Sequence, residues 1–375
     1  MRIGMVCYPT HGGSGVVASE LALALAHRGH HVHIISYAVP FRLRKFHPNV
    51  FLHEVDIAVY PLFKYPPYEL GLSNKIVEVA QEQGLDIVHA HYAVPHATSA
   101  YLAKHILNSP KLKIITTLHG TDITLVGADK SFFSVIKFSI EQSDGVTAVS
   151  NYLQRRTMSE FGIDREIRVI YNFIDPSKSS MPAEEGACQR EVYAAQGEKI
   201  LMHASNFRPV KRVSDVVRIF ARVRQEMPCK LLLVGEGPER LFAQQLVKEL
   251  KLQDDVRFLG QVDDIQSILR CADVFLLPSE QESFGLAALE AMACGVPVVG
   301  ATTGGMPEVV RHGETGYLYP VGEIRDMALA VLDLLGDEQR YQRFSETARK
   351  QAIKNFDIKV ILPQWEAFYE EVLGK

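Results

Sequence analysis

Four short runs in this chain bring together residue types that could do chemistry on a charged ligand. Gly12-Gly13-Ser14-Gly15 falls where an apolar segment gives way to an amphipathic one. Glycines there let the backbone come close to a ligand, and the start of the following helix offers unpaired N–H groups to an anion. The run is neither G-x-G-x-x-G nor a phosphate loop ending in G-K-[ST], and a plain tight turn would also explain it. His119-Gly120-Thr121-Asp122 ends another apolar run, with Asp122 placed to orient or charge-stabilise the His119 imidazole. A histidine at a strand end can equally be structural. In Asn206-Phe207-Arg208-Pro209-Val210-Lys211-Arg212, three cations lie within five residues. That grouping suits a diphosphate, with lysine as a point charge and arginine as a fork, although a solvated basic loop has the same composition. Finally, Glu282-Ser283-Phe284-Gly285-Leu286 runs on to Glu290. Two carboxylates eight positions apart are a little over two helical turns from each other, so both could address one side of a ligand. Gly285 and the helix start add backbone donors, while two acids there could also merely complement the helix dipole. His89, His91 and His96 raise the question of a metal. No carboxylate or cysteine joins them at ligand spacing, so packing or an acceptor-site role fits them better.

These runs need elements to hold them. Short continuous apolar segments alternate with amphipathic ones, which predicts strands covered on both faces and therefore a mostly parallel sheet. Strands are expected at Arg2–Tyr8, His31–Tyr37, Asp86–His89, Lys113–Leu118 and Gly145–Ser150, and a helix at Val16–Arg28. The same grammar restarts after Asn172, with strands at Lys199–Ala204, Lys230–Val234, Val256–Leu259, Val274–Leu277 and Val296–Gly300. Helices are expected between them at Ser214–Glu226, Pro238–Leu250, Asp264–Arg270 and Leu286–Cys294. Asp175–Glu198, rich in Pro, Ser, Ala and Glu, reads as a loop or poorly packed segment near a domain boundary. The fold class is α/β, as two doubly wound Rossmann-like domains facing across a cleft. Ligands in such sheets bind beyond the carboxyl ends of the strands. The N-terminal domain is expected over 1–170 and the C-terminal one over 171–354, with a last helix at about 355–375 packing back on the first.

Composition narrows the classes. The chain has 375 residues, 47% of them hydrophobic and 22% charged, enough for two or three cores and too apolar for disorder. With 40 basic against 44 acidic residues, nucleic acid is not an expected partner. Cys7, Cys188, Cys229, Cys271 and Cys294 form no C-x-x-C pair and read as buried reduced thiols. That reading, the absence of a leader-like start and the lack of any run near ~18 apolar residues predict a cytoplasmic protein without stable membrane insertion. A homo-oligomer is left open.

Taken together, the motifs resemble those of the retaining glycosyltransferases of family four. The resemblance rests on the E-x7-E element, the G-G-S-G loop, V-G-E-G-P-E at Val234–Glu239 and G-G-M-P-E at Gly304–Glu308. Further runs sharpen it towards one subfamily: P-F-R-L at Pro40–Leu43, Y-P-P-Y at Tyr65–Tyr68, H-A-H-Y-A-V-P-H at His89–His96, T-T-L-H-G-T-D-I-T at Thr116–Thr124 and S-N-F-R-x-V-K-R at Ser205–Arg212. That subfamily passes N-acetylglucosamine from UDP-GlcNAc to L-malate at the first step of bacillithiol biosynthesis. The resemblance implies a GT-B fold, with the N-terminal domain taking the acceptor and the C-terminal one the nucleotide sugar. Glu290 would hold the donor ribose and Glu282 the donor sugar. Lys211 would neutralise the leaving diphosphate, with Gly13, Ser14, Gly15, Gly235 and the amides of Phe284, Gly285 and Leu286 contributing to donor binding. His119 would contact the donor sugar. Many members place arginine where Asn206 stands, and Arg208 is the residue that could supply that charge.

No cofactor is expected beyond the UDP-GlcNAc co-substrate. No D-x-D run is present to hold a divalent ion. For an L-malate acceptor the N-terminal half offers Ser14, Tyr92 and Thr117, and Lys64 could add positive charge or simply be solvated. The alternatives are another family-four transferase acting on a sugar, inositol phosphate or lipid, a UDP-GlcNAc epimerase of similar fold, and a sensor that binds UDP without turnover.

Overall fold

The computed structural model describes residues 1–10, 12–43, 46–57, 61–124, 127, 129–179 and 189–374. They divide into two compact units, Met1–Asn172 with Ile358–Lys375, and Phe173–Asp357. Each is a parallel sheet covered by helices.

The first unit carries seven strands: β1 (Arg2–Val6), β2 (His31–Ser36), β3 (Val50–Glu54), β4 (Ile87–His91), β5 (Lys113–Leu118), β6 (Gly145–Ala148) and β7 (Arg168–Val169). Their spatial order is β3-β2-β1-β4-β5-β6-β7. Central strands such as β4 and β6 are buried along their whole length. This is why they read as continuous rather than alternating apolar runs. Two strands of this unit escaped the sequence reading: β3, an edge strand whose residues are all at least partly exposed, and β7, which is two residues long. The strand Gly316–Tyr319 in the other unit escaped it too.

The second unit holds β8 (Lys199–Ala204), β9 (Cys229–Val234), β10 (Val256–Gly260), β11 (Val274–Leu277), β12 (Val298–Ala301) and β13 (Gly316–Tyr319), ordered β10-β9-β8-β11-β12-β13. Counted within the unit this is 3-2-1-4-5-6, and the first six strands of the other unit follow the same order. In both sheets the chain reverses direction of winding beside the first strand, at β1/β4 and at β8/β11. Such a switch point leaves a crevice beyond the strand ends where ligands bind.

The final helix, Ile358–Gly374, is part of the first unit and buries Trp365, Phe368 and Tyr369 there. The Tyr369 hydroxyl lies 2.8 Å from His89 Nδ1. Of the stretch Asp175–Glu198, residues 180–188 lie outside the described residues, Cys188 among them. Its far end is well anchored: Arg190 donates to Asp273 at 2.6 Å and to the Cys271 carbonyl at 2.7 Å. Cys7, Cys229 and Cys294 are free thiols, as expected. Cys271 departs from the expectation and is disulfide-bonded. A bridge outside C-x-x-C spacing leaves no short-range mark in sequence. No helix among the described residues is long and apolar enough to cross a membrane.

Candidate active site

The two switch points are each spanned by one side-chain bond. In the first unit the chain leaves β1 and enters the glycine run, where Ser14 is the first residue of the helix Ser14–His27. Across the crevice, Tyr92 follows the end of β4, and the Ser14 hydroxyl donates to the Tyr92 hydroxyl at 2.8 Å. In the second unit the basic run leaves β8 and the Glu282 run leaves β11. Lys211 Nζ sits 2.6 Å from Glu282 Oε1, with both side chains mostly buried. Residues 71 positions apart in sequence are thus neighbours because both strand ends open on the same reversal.

Backbone geometry marks the same places. Of the described non-glycine residues, five have positive φ, and three of these are Tyr92 (φ 97), Phe207 (φ 41) and Arg212 (φ 50). Such conformations cost of order 1–3 kcal/mol each and persist where surrounding structure imposes them, commonly at ligand sites. Here Tyr92 is pinned by its N–H to the Thr117 carbonyl at 2.9 Å. Phe207 is buried beneath the basic loop, and its N–H meets the Ser205 hydroxyl at 3.2 Å.

The other two glycine-rich motifs act as supports. Gly235 has φ 120, and a Cβ there would stand 1.8 Å from the Ser205 carbonyl oxygen, so the Val234–Glu239 turn packs directly on the start of the basic loop. Gly304 has φ 57, and a Cβ there would stand 1.7 Å from the Glu282 carbonyl oxygen. Gly305 N–H donates to that same carbonyl at 2.9 Å, so the Gly304–Glu308 run fixes Glu282. The two site loops are also tied to each other, since Glu280 N–H donates to the Val210 carbonyl at 2.8 Å.

The helix after the Glu282 run begins at Leu286, as expected, with Gly285 as its left-handed cap, but the expected helical spacing of the two glutamates does not hold. Glu282 therefore lies in the loop before it and only Glu290 is helical, so helical spacing does not relate the two. Loop contacts place Glu282 instead. Phe284 is buried against Phe356 at 5.6 Å, and the amides of Gly285 and Leu286 open the helix. Asn206 and Arg208 are exposed beside them.

In the first unit, Asp122 does not orient the His119 ring. Its buried carboxylate accepts from Gly120 N–H at 2.9 Å and Ala93 N–H at 3.2 Å, tying together the chain beyond β4 and β5. Burial raises its pKa to about 6 against the lowering effect of those amides. The partner of His119 is His91, whose Nδ1 is 2.8 Å from His119 Nε2, with the rings stacked. The other His91 nitrogen lies 2.9 Å from Met5 Sδ, which can only accept. His91 therefore donates from Nε2 and accepts at Nδ1, so His119 carries its proton on Nε2 and offers Nδ1 as an acceptor. Burial lowers the pKa of His119 to about 3, and the ring is neutral at pH 7.

Of the residues expected to meet an acceptor, Ser14 and Tyr92 come together and Tyr92 stands 5.3 Å from His119. Thr117 does not join them. It is buried within β5, and its hydroxyl is shared between His89 Nε2 at 2.6 Å and Thr147 at 2.8 Å. Thr117 lies two residues before His119, on the same face because the strand period is two, but one step further from the carboxyl end of β5, where His89 and Thr147 take up its hydroxyl. Lys64 is exposed, with its ammonium 5.5 Å over the Tyr65 ring. Among the described residues, no group of three or more His, Cys, Asp or Glu side chains is arranged to hold a metal ion. The sequence reading missed Tyr8, whose ring packs on Tyr92 at 5.8 Å and His96 at 4.4 Å. Its position two residues past β1 was the available signal.

Two parallel sheets of this order, each with a polar bond across its switch point, make the chain a GT-B protein. Its residues 11–178 match the model described as Glycosyltransferase Family 4, and 188–351 match Glycosyl transferases group 1. Solved structures of the same fold include sucrose-phosphate synthase from Thermosynechococcus elongatus, with TM-score 0.82, 22% identity and coverage of 100% and 99% of the two chains. HepE from Anabaena, solved with UDP and glucose, gives TM-score 0.84 at 23% identity over 99% of this chain and 100% of its own. Among curated relatives, a phosphatidyl-myo-inositol mannosyltransferase of Mycobacterium tuberculosis is 29% identical over 100% of this chain and 98% of its own. The chain belongs to the family-four glycosyltransferases. Within that family it is 48% identical, over its whole length and 97% of the relative, to the N-acetyl-alpha-D-glucosaminyl L-malate synthase of Bacillus anthracis.

Proposed function

We infer that this enzyme transfers N-acetylglucosamine from UDP-GlcNAc to L-malate with retention at the anomeric carbon, in the cytoplasm and without a metal ion. The observation that carries the mechanism is the Lys211–Glu282 pair at the switch point of the second unit. As the bond from the anomeric carbon to the diphosphate breaks, negative charge grows on the departing oxygens. The malate hydroxyl oxygen bonds to the same face of that carbon, and its proton passes to the leaving diphosphate. Lys211, released from Glu282 as the donor binds, and the amides of Gly285 and Leu286 take up that charge, and fixed charge of this kind is commonly the largest catalytic contribution. Arg208, exposed on the same loop, takes the role that an arginine at the Asn206 position has in many relatives. Glu290 holds the ribose, and Glu282 and His119 meet the sugar.

The first unit supplies the acceptor groups Ser14 and Tyr92. The relative's name supplies the acceptor, and hydroxyl donors beside a neutral histidine suit a hydroxy acid. The test is UDP release with UDP-GlcNAc and a panel of acceptors, with the product anomer read by NMR. Rapid release is expected with L-malate and much slower release with D-malate, lactate or inositol phosphate. A β-linked product, or equal rates with lactate, would sink this reading. Activity is also expected to survive EDTA; loss restored by Mg²⁺ or Mn²⁺ would show that an ion does the work assigned to Lys211.

A further inference from the structure

Among the buried polar atoms of the first unit that find no hydrogen-bond partner in the described residues are His96 Nε2 and the Tyr68 hydroxyl oxygen. An unmet buried hydrogen-bonding group is costly, so such atoms commonly await a ligand or a water. They belong to one aromatic cluster. The His96 ring lies 4.4 Å from Tyr8, 6.2 Å from Tyr92 and 6.5 Å from Tyr68. Tyr92 is the residue that also reaches Ser14 and His119. The unmet atoms therefore stand next to the acceptor groups already described, on the other side of one tyrosine contact.

Their chemistry is complementary. His96 Nδ1 is engaged with the His91 carbonyl, to which it can only donate, so the unmet Nε2 is a bare lone pair when the ring is neutral. Burial holds the His96 pKa at about 4. Burial also pushes the Tyr68 phenol upward, so it keeps its proton and is a donor. One acceptor and one donor, both fixed, match a carboxyl group carrying a single proton: one oxygen accepts from Tyr68 while the other shares its proton with His96.

We propose that His96 and Tyr68 form the subsite for the acceptor's second carboxyl group, the one remote from the reacting hydroxyl. This rests on the reading of the acceptor as a hydroxy dicarboxylic acid. Docking then takes up one proton, because His96 and the free dicarboxylate are both unprotonated at neutral pH. The titratable groups facing His96 are Tyr8, Tyr68, Tyr92, His91 and His119, and Glu69 bears on Tyr8 and Tyr68. None of these is a cation that could meet a carboxylate without the shared proton.

The test compares L-malate with L-lactate, which keeps the hydroxy acid and lacks the second carboxyl. UDP release is measured with saturating UDP-GlcNAc for wild type, Tyr68→Phe and His96→Asn, between about pH 6 and 8.5. The asparagine amide stands in for Nδ1 and keeps the bond to the His91 carbonyl, while phenylalanine keeps the ring. Each variant should lose roughly 10- to 100-fold in kcat/KM for malate, through KM, as expected when one buried hydrogen-bonding partner is left unmet. Lactate turnover should stay within about twofold. Wild-type KM for malate should rise with pH, by up to about tenfold per unit, and His96→Asn should remove that slope. Equal losses with malate and lactate, unchanged malate kinetics in both variants, or a flat wild-type pH profile would each overturn the subsite while leaving the acceptor assignment standing. Wild type that releases UDP no faster with malate than without it would overturn the acceptor assignment, and the subsite with it.

Discussion

Lys211 and Glu282 neutralise each other in the free enzyme at 2.6 Å, so a diphosphate must compete with a carboxylate already in place. The pair keeps a mostly buried ammonium compensated until substrate arrives, since an uncompensated buried charge is expensive. Two predictions follow from that competition. Lys211→Ala should lower kcat/KM by roughly 10²–10³, the scale of removing one preorganised electrostatic group; turnover within threefold of wild type would make the basic loop structural. Glu282→Gln frees Lys211 while removing the carboxylate proposed to meet the sugar. It should bind UDP, measured by calorimetry, at least as tightly as wild type, yet transfer sugar much more slowly. Weaker UDP binding would mean that Glu282 supports the diphosphate site rather than competing in it. Thr117 belongs to a different class. With its hydroxyl shared between His89 and Thr147, Thr117→Val should lower the melting temperature and leave the KM for malate nearly unchanged.

At the scale of elements, each site loop is held by a second loop that carries no reactive group. Gly304 shows the distinction between a glycine needed for its backbone and one needed for its space. Gly304 and Gly313 both have positive φ, but a Cβ at Gly313 meets nothing within 4 Å, whereas one at Gly304 meets the Glu282 carbonyl. Gly313→Ala should cost about 1–2 kcal/mol in denaturant unfolding, the left-handed penalty alone, with kcat/KM unchanged. Gly304→Ala should cost more and reduce kcat/KM at least tenfold, because the Glu282 loop must move. Equal activity in the two variants would refute that coupling. This contact also shows what sequence could and could not give. Apolar continuity exposed ten of the thirteen described strands and the motifs lay at their ends, so the architecture and the placing of Lys211, Glu282 and Tyr92 beyond strand ends were legible. The orientation of Thr117, the His91–His119 bond and the support of Glu282 by Gly304 depend on which strands are neighbours across the sheet. Edge strands such as β3, half in solvent, carry too weak an apolar signal to settle that order.

At the scale of the whole molecule, the first unit buries several neutral histidines and one protonatable carboxylate, which sets its response to acid. Burial lowers His89 to about 3 and His96 to about 4, and it lowers His91 well below the usual imidazole range. In the unfolded chain these rings titrate near 6.5, so between pH 6.5 and 4 the unfolded state binds more protons and stability falls as pH falls. Asp122 acts with the opposite sign. Its folded pKa of about 6 exceeds the ordinary aspartate value of 3.8, so in that window the folded state binds its proton and acid favours folding. His119, His33 and His53 are lowered as well, so six histidines of the first unit stand against one aspartate and leave a net loss, each group contributing up to about 1.36 kcal/mol per pH unit. The melting temperature should therefore decline steadily from pH 7 to pH 5. Replacing Asp122 with asparagine removes the opposing group and keeps an acceptor for only one of the Gly120 and Ala93 amides, which bond to different carboxylate oxygens, so the melting temperature should drop overall and its decline should steepen below pH 6. A melting temperature independent of pH over this range would mean that the buried histidines take up protons without unfolding, and the neutral His91–His119 pair on which the site is built would have to be abandoned.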